Sequence, residues 1–363
     1  MRLIVTQENL ARALNTVSRV ASTRASLPVL SNVLLKTVDN RLTIAATNLD
    51  IAISETIGAK ITTQGALTVP ARLMQDFVSS LPSGPLELET KDNKLILKAE
   101  RYNSTINGVS ADEFPAMPVL ENSKEIVFDV KSFKTALGQV LFAASNDEAR
   151  PVLTGVSVYS DDKSLYFAAT DSYRLAEKVL PGIDQDVSLL LPAHSLQEVL
   201  RAMNDSDDKI VMAYDEQQAR FTVGETDIVS RLIDGNYPDY KRLLPASFET
   251  TATLPRQSMI EITKVSSLFA REAAGSITLS IDEDDGKISI DSIASQVGEN
   301  TAEAEAKVKG SAKITLNSRY ILDALGAFNG KDITIGVNGK LDPCVLSDPA
   351  DKTYKHIIMP VKS

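Results

Sequence analysis

The chain has 363 residues, of which 43% are hydrophobic and 24% are charged, a composition typical of a folded protein with two or three domains. Its single cysteine, Cys344, cannot form an internal disulfide bond, and no apolar run reaches the length of a membrane span. The first residues, MRLIVTQENL, lack the apolar core and cleavage site of a signal peptide, so we expect a cytoplasmic protein. The net charge of −10 disfavours nonspecific nucleic-acid binding unless the charges are segregated on the surface.

The first third of the chain predicts a helix, a β-hairpin and a strand that leads into a second helix. The helix covers residues 6–20, and its apolar stripe leaves Arg12 and Arg19 on the opposite face. The hairpin is NVLLKTVDNRLTIAATN at residues 32–48, which alternates apolar and polar residues on both sides of an Asp-Asn turn. The strand and second helix are ALTVPARLMQDFVSSL at residues 66–81, where Pro70 suits the first helical turn.

The same three units recur in the second third of the chain. A helix is predicted in DVKSFKTALGQVLFAA at residues 129–144, and a hairpin in GVSVYSDDKSLYFAATD at residues 155–171. SLLLPAHSLQEVLRAM at residues 188–203 is the strand that leads into a helix, with Pro192 in the place of Pro70. The sequence AATDSYRLAEKV from Ala168 resembles AATNLDIAI from Ala45, and both begin at the end of a predicted hairpin.

The last third repeats the units once more. LPRQSMIEITKVSSLF at residues 254–269 predicts a helix, SITLSIDEDDGKISIDS at residues 276–292 a hairpin, and KITLNSRYILDALGAF at residues 313–328 a strand and a helix. Asn317 suits the N-cap of that helix. The acidic run DEDDG at residues 282–286 lacks the ligand spacing of a calcium loop, so we interpret it as a hairpin turn.

Spacing supports a triplication. Pro70 and Pro192 are 122 residues apart, Pro192 and Asn317 are 125 apart, and Phe114-Pro115 recurs as Tyr237-Pro238 after 123. The predicted fold class is therefore α+β, with three tandem repeats that each pack two helices on antiparallel sheet. The predicted domains are residues 1–122, 123–247 and 248–363, joined at the turn-like stretches 121–125 and 245–253.

The sequence offers little catalytic chemistry. It has no glycine-rich phosphate loop, no G-x-S-x-G elbow and no dinucleotide fingerprint. His194 and His356 are isolated from other metal ligands, so both are expected to be structural, and no metal or cofactor is expected. We therefore expect a non-enzymatic protein with no catalytic residues. Two alternatives stay open at this point: an enzyme with a site at a domain junction, and a peptide-binding repeat scaffold.

Charge is segregated onto the six predicted helices, which carry ten basic residues against six acidic ones in an acidic chain. The basic residues are Arg12, Arg19, Arg72, Lys131, Lys134, Arg201, Arg256, Lys264, Arg271 and Arg319. Basic helix faces that line one surface would bind a polyanion through its phosphates, without sequence preference. With 5% aromatic residues and no tryptophan, the chain is poorly equipped to stack on single-stranded bases, which favours duplex DNA.

Five separated motifs then resemble one family, the bacterial DNA sliding clamps, which are the β subunits of DNA polymerase III. They are LPVLSNVLL from Leu27, ARPVLTGV from Ala149, AATDSYRLA from Ala168, NYPDYKRLLP from Asn236 and the C-terminal HIIMPVKS. The resemblance implies a head-to-tail homodimer that closes six similar domains into a ring around double-stranded DNA. It further implies that the ring tethers the replicative polymerase α subunit, other polymerases, ligase and mismatch-repair proteins, after loading by a separate ATP-driven clamp loader at the nucleoid.

The resemblance also implies site residues. A pocket for short linear peptides of the Gln-Leu-x-Leu-Phe type would be formed between the second and third domains. Its residues would be Arg150, Leu153, Thr170, Ser172, Tyr173, Arg174, Leu175, Pro238, Arg242, Leu243, Asn317, Tyr320, Leu341, Pro343, Ile357, Ile358, Met359, Pro360 and Val361. From the residues alone, core packing is the preferred interpretation of Leu153, Leu175 and Ile357. Arg24 matches a DNA-contacting arginine of the family and joins Arg12, Arg19, Arg72, Lys131, Lys134, Arg201, Lys264 and Arg319 as DNA-facing. Leu268 and Phe269 would lie at the dimer interface.

Overall fold

The computed structural model describes residues 1–21, 27–204, 206–271, 274–294 and 298–361. These residues form six α-helices: α1 Gln7–Val17, α2 Ala71–Ser80, α3 Val130–Val140, α4 Ala193–Ala202, α5 Arg256–Phe269 and α6 Ser318–Ala327. The predicted pair of helices in each repeat is confirmed. Across the same residues there are 26 strands, all of which pair antiparallel. No helix in this part of the chain is long and apolar enough to cross a membrane.

The strands follow the repeats of the sequence. The first repeat contains β1 Arg2–Thr6, β2 Asn32–Val38, β3 Arg41–Thr47, β4 Ile51–Gly58, β5 Lys60–Thr63, β6 Ala66–Pro70, β7 Pro85–Lys91, β8 Lys94–Ala99 and β9 Tyr102–Asn107. The second contains β10 Lys124–Asp129, β11 Gly155–Asp161, β12 Ser164–Thr170, β13 Arg174–Pro181, β14 Ser188–Pro192, β15 Lys209–Tyr214, β16 Gln218–Val223 and β17 Thr226–Arg231. The third contains β18 Thr250–Pro255, β19 Ser276–Asp282, β20 Lys287–Ala294, β21 Gly298–Glu305, β22 Lys307–Lys309, β23 Ala312–Asn317, β24 Asp332–Val337, β25 Cys344–Ser347 and β26 Tyr354–Ile358.

The chain forms two compact units, which do not follow the predicted domain boundaries; those boundaries stay a prediction. One unit holds residues 1–131 and 198–232, with a sheet ordered β5-β1-β7-β8-β9 and another ordered β10-β15-β16-β17-β4-β3-β2-β6. The other unit holds residues 132–197 and 233–363, with sheets ordered β14-β11-β12-β13-β26-β25-β24-β18-β22 and β21-β20-β19-β23. Each large sheet therefore contains strands from two successive repeats, which meet at β4–β17 in one unit and at β13–β26 in the other.

The predicted apolar stripe of α1 lies in the core. Leu10, Ala13, Leu14 and Val17 are all fully buried, as expected from their helical spacing. The helix ends at Val17, three residues before the predicted end, because the chain turns there and inserts Val20 into the core.

Three predicted details of the helix starts and domain joints have clear outcomes. Asn317 is confirmed as an N-cap, because its side-chain oxygen accepts a hydrogen bond from the Arg319 amide at 2.9 Å. The placement of Pro70 and Pro192 in the first helical turn is wrong, since both are strand residues that pair with Asn32 and Gly155 and precede their helices. The end of the second joint is also wrong, because residues 250–253 already form β18 through ladder pairing with β24.

The three predicted hairpins are confirmed, and their turns show why those residues occur there. Asp39 and Asn40 between β2 and β3, and Asp162 and Lys163 between β11 and β12, have positive φ, as a tight two-residue turn requires. In the acidic third turn, the Asp282 carboxylate accepts hydrogen bonds from the amides of Asp284 and Asp285. The turn interpretation of this acidic run is thus confirmed.

The repeated AATN and AATD sequences form the same turn. Thr47 Oγ donates to the Ile51 carbonyl at 3.0 Å, and Asn48 Oδ1 accepts from the Ile51 amide at 2.9 Å. In the second copy, Thr170 Oγ donates to the Arg174 carbonyl at 2.6 Å, and Asp171 Oδ1 accepts from the Arg174 amide at 3.0 Å. The threonine and the Asn or Asp satisfy the backbone in both copies, so the residue at the start of the following strand is free to differ.

Candidate functional site

The C-terminal strand brings several of the predicted pocket residues together within the unit that holds residues 132–197 and 233–363. β13 and β26 pair with Arg174 opposite Ile358 and Leu175 opposite Ile357. Beyond the strand, the Met359 amide donates to the Tyr173 carbonyl at 2.8 Å and the Val361 amide to the Thr315 carbonyl at 2.9 Å. The chain from β26 to Val361 is therefore held against two segments by its backbone.

Several predicted pocket residues are part of the core. Leu153, Leu175, Ile357 and Ile358 are at most 6% exposed, and Thr170 is used in its own turn. Leu175 and Ile357 pack in one cluster with Ala168, Tyr240 and Val345, and Met359 packs against it. These side chains form the base beneath the surface, in agreement with the core interpretation of Leu153, Leu175 and Ile357.

Three apolar members are accessible to a ligand. Tyr173 is 60% exposed, Leu243 44% and Leu341 66%. Tyr173 lies in the turn before β13, Leu243 ends a short 3-10 helix at Tyr240–Leu243, and Leu341 precedes β25. Pro238 is also exposed, while Pro343, Met359, Pro360 and Val361 are half-buried. Exposed apolar side chains of this kind suit contact with a short apolar peptide.

Arg174 is the most constrained polar side chain of the site. Its Nε lies 3.1 Å from Asp171 Oδ2, its Nη1 2.6 Å from Asp323 Oδ2, and its Nη2 donates to the Phe142 carbonyl at 2.8 Å. Its guanidinium carbon lies 4.7 Å from the centre of the Tyr320 ring. Burial raises the pKa of the Tyr320 phenol, and the nearby Arg174 charge acts in the opposite direction. Arg174 therefore holds α6, β13 and the end of α3 together.

The remaining polar members are held more loosely. Arg150 donates to Ser172 Oγ at 3.0 Å and to Asp147 Oδ2 at 3.2 Å. Arg242 is exposed and pairs with Asp239 three residues before it. Asn317, besides capping α6, donates to the Ala274 carbonyl at 3.2 Å. Arg150 and Arg242 are thus the cations at this surface that can reorient towards a bound ligand.

The structure adds residues that the sequence analysis had not assigned to the site, above all Asp323. It lies three positions after Tyr320 on α6, so helical spacing alone places both on one face. Phe142 also contributes to the site, through the main-chain carbonyl that accepts a hydrogen bond from Arg174. Because every residue has such a carbonyl, no sequence pattern identifies this one.

Two buried titratable groups lie beneath the site. His356 is fully buried and stacks on Phe142 with ring centres 5.4 Å apart; burial lowers its pKa to about 3, with a smaller effect from the Arg174 charge. Burial also raises the pKa of the Cys344 thiol to about 12. No group of His, Cys, Asp and Glu suited to a metal ion occurs among the described residues.

The predicted DNA-facing residues are mostly exposed, although several carry an acidic neighbour. Arg12 contacts the buried Glu55 at 3.5 Å, and Arg19 contacts Glu198 at 3.8 Å. Exposed residues of the set are Arg12, Arg19, Arg72, Lys131, Arg201, Lys264 and Arg319, while Lys134 is half-buried. Arg24 lies outside the described residues. Arg256, which added to the helix charge, instead donates to the Leu325 and Gly330 carbonyls near the end of α6.

The predicted interface residues lie at the end of α5. Leu268 is 56% exposed, and Val265 on the same helix is 48% exposed. Phe269 is half-buried. Two exposed apolar side chains three positions apart form an apolar helix face.

Comparison with known proteins gives one consistent family. Family models described as the N-terminal, central and C-terminal domains of the DNA polymerase III beta subunit match residues 1–118, 127–239 and 241–362. The beta sliding clamp of Synechococcus elongatus is 31% identical over 372 residues, which cover 100% of this chain and 99% of the relative. The beta sliding clamp of Staphylococcus epidermidis is 27% identical over 376 residues and is covered in full, as is this chain.

Solved structures agree with the sequence relatives. The DNA polymerase sliding clamp of Bacillus subtilis superposes with a TM-score of 0.95 at 27% identity, over 100% of this chain and 99% of that chain. The DNA polymerase III subunit beta of Pseudomonas aeruginosa gives a TM-score of 0.94 at 25% identity, with both chains covered in full. The predicted fold class of three clamp domains is confirmed.

Replacement of Arg174 by alanine should destabilise the second unit strongly. The change leaves the carboxylates of Asp171 and Asp323 without their cation in a largely buried place, which costs about 3 kcal/mol. Arg150→Ala is the matched control, because its exposed pair with Asp147 is worth under about 1 kcal/mol. Urea unfolding of both variants measures the difference, and equal midpoints would contradict the structural role of Arg174.

Acid should destabilise the protein through His356. The folded-state pKa lies near 3, well below the ordinary value of about 6.5, so the unfolded chain takes up a proton that the folded chain does not. This contribution to stability is complete above pH ~6.5 and is lost as the pH falls, by up to about 1.4 kcal/mol per pH unit. His356→Phe should flatten the dependence of unfolding free energy between pH 6.5 and 4, whereas His194→Gln, at the exposed histidine, should leave it in place. An unchanged slope in His356→Phe would contradict the assignment.

Proposed function

The chain belongs to the DNA polymerase III beta subunit family, and from this premise we propose that it is a sliding clamp which encircles duplex DNA and tethers the replicative polymerase. The single observation that carries the proposal is the match of all three family domains, in order, over nearly the whole chain. The proposal assigns no catalysis to this chain. Its role is to hold DNA by topology, so that weak phosphate contacts permit sliding.

The ring is proposed to form head to tail from two copies. In the described residues, β9 ends the five-stranded sheet and β21 ends the four-stranded sheet. An open sheet edge pairs readily with another strand. The two edges also differ in charge, because Glu299, Glu303 and Glu305 lie on β21 while Lys98 and Arg101 lie beside β9. Pairing of β9 in one copy with β21 in the next is a heterologous contact, which forms a ring if the rotation between the copies closes.

The exposed end of α5 supports the same contact. Leu268 and Val265 lie on the helix that packs against β21, and their exposed apolar faces would be covered by the second copy. A closed ring would then present the exposed arginine and lysine side chains of the helices to the DNA phosphates, and Arg24 is proposed as a further DNA contact. Contacts of that kind carry no base preference, as a sliding protein requires.

The surface around Tyr173, Leu243 and Leu341 is proposed to bind short linear motifs. The partners are the polymerase α subunit, the clamp loader, other polymerases, ligase and mismatch-repair proteins, and the site of action is the cytoplasmic nucleoid. The support is physical: exposed apolar side chains, a base formed by the paired strands β13 and β26, and the exposed Arg150 and Arg242.

A charge introduced at Leu268 should open the ring. Leu268→Glu would bury a carboxylate in the proposed interface, so we expect monomers where the parent protein sediments as a dimer. Val119→Glu, which places the same charge at a side chain that is 78% exposed, is the control.

The same variants test the clamp itself. After loading onto nicked circular DNA by a clamp loader, the parent protein and Val119→Glu should stay bound through gel filtration and leave once the circle is cut. Leu268→Glu should not be retained on either form. A parent protein that binds circular and linear DNA equally would contradict encirclement and favour a peptide-binding scaffold.

Removal of the C-terminal segment should abolish peptide binding. A chain that ends at Ile358 loses the Met359 and Val361 backbone bonds, whereas a chain that ends at Val361 keeps them. In fluorescence anisotropy with a labelled Gln-Leu-x-Leu-Phe peptide, we expect micromolar binding (about −8 kcal/mol) for the parent and the longer variant, and none for the shorter. Equal binding by both variants would place the site elsewhere.

A further inference from the structure

One segment of the candidate site is anchored by a side chain that no ligand can reach. The segment, residues 237–244 and hereafter the linker, carries the exposed Pro238, Arg242 and Leu243. Between them lies Tyr240, which is 4% exposed and packs against Ala168, Leu175, Val345 and Ile357 on one face of the nine-stranded sheet. The placement of the exposed residues therefore depends on where Tyr240 sits.

The Tyr240 hydroxyl group is bound to a buried carboxylate. It donates to Glu177 Oε2 at 2.7 Å, and Glu177 is itself only 4% exposed. A buried carboxylate is costly unless hydrogen bonds replace its water, so this donor is a strong constraint on Tyr240. Glu177 lies on β13, three residues after Arg174, so the bond ties the linker to the strand that carries the other half of the site.

A second hydroxyl group extends the connection to the surface. Tyr159 and Tyr240 have hydroxyl oxygens 2.7 Å apart, and because the single Tyr240 proton is directed to Glu177, Tyr159 is the donor between them. Tyr159 stacks on Tyr166 with ring centres 5.0 Å apart. Burial raises the pKa of both Tyr159 and Tyr240, which keeps the two protons in place at ordinary pH.

The outer end of this chain of hydrogen bonds is a cation on the linker. Lys241 Nζ lies 2.6 Å from Asp161 Oδ2 and 4.9 Å from the centre of the Tyr159 ring. Two successive linker residues, Tyr240 and Lys241, are thus fixed to two strands of one sheet, β11 and β13. Directed bonds of this kind fix the register of a segment, which apolar packing alone does not.

The first repeat lacks the arrangement. At the spacing of 123 residues, Met117 corresponds to Tyr240 and Ser54 to Glu177. Met117 packs against Val29, Leu30 and Phe114 and has no hydroxyl group to direct. The hydroxyl–carboxylate pair therefore occurs in the copy that also has Tyr173 and Arg174.

We propose that Glu177, Tyr159 and Tyr240 are positioning residues for the peptide site: they hold the linker in one register on the sheet and thereby fix the positions of its exposed residues Pro238, Arg242 and Leu243. The inference rests on the proposed function, because it gives these residues a role in peptide binding. That role is indirect: they position the linker and do not themselves contact the peptide.

The test is Tyr240→Phe, which removes one hydroxyl group and keeps the ring in the apolar cluster. We expect the Kd for the labelled Gln-Leu-x-Leu-Phe peptide to rise about tenfold, because the linker no longer has a single register. Glu177→Gln keeps an acceptor for Tyr240 and should lose less affinity. The matched control is Thr263→Val, which removes the buried hydroxyl that donates to the Met259 carbonyl within α5, away from the linker.

Hydrogen exchange supplies a readout that does not need the peptide. Amides of residues 239–244 should exchange faster in Tyr240→Phe than in the parent and in Thr263→Val. Unchanged peptide affinity in Tyr240→Phe would overturn the proposal, and so would an equal loss in Thr263→Val, which would indicate general destabilisation. If the parent protein does not bind the peptide, the proposed function fails, and exchange alone then decides whether the hydroxyl group anchors the linker.

Discussion

Backbone pairing between β13 and β26 is the constraint on which the rest of the candidate site depends. It places residues of the second and third repeats side by side, so that the Met359 amide can bond to the Tyr173 carbonyl. Backbone hydrogen bonds between the strands do not depend on side-chain identity. The exposed side chains of the paired strands can therefore vary without loss of the pairing. The same kind of pairing, β4 with β17, joins the first and second repeats in the other unit.

The two joins differ in their charged side chains. At corresponding positions of α4 and α6, the acids are Glu198 and Asp323. Glu198 contacts Arg19 at 3.8 Å, and Arg19 is largely exposed, so that pair contributes little. Asp323 contacts Arg174 at 2.6 Å, and Arg174 is nearly buried under Tyr320, so that pair fixes a helix to a strand. The repeated fold thus has a weak ion pair, Arg19–Glu198, at one position and a strongly constrained ion pair, Arg174–Asp323, at the corresponding one.

Local patterns predicted most of the fold because each rests on interactions between near neighbours in sequence. The apolar spacing of α1, the Asp-Asn turn of the first hairpin and the Asn317 cap are all of this kind. The family resemblance then supplied the pocket residues, of which the structure joins Tyr173, Arg174 and Met359 directly.

What the sequence could not predict depends on distant partners. Asp323 and the Phe142 carbonyl become ligands of Arg174 only after three segments have folded together. The Glu177–Tyr240 bond likewise links residues 63 positions apart, and an isolated Glu or Tyr in a strand or linker carries no mark of such a partner. Arg256 was counted as surface charge for the same reason. Its side chain instead donates hydrogen bonds to carbonyl groups near the end of α6, which sequence alone does not reveal.

The shared turn after the second hairpin strand bears on how a triplicated gene acquires a new function. Its backbone is satisfied by Thr47 and Asn48 in one copy and by Thr170 and Asp171 in the other. The following position holds the buried Ile51 in the first copy and Arg174 in the second. A substitution at that position therefore leaves the hydrogen bonds of the turn intact, so one copy could keep a buried apolar residue while another acquired an arginine that joins three segments.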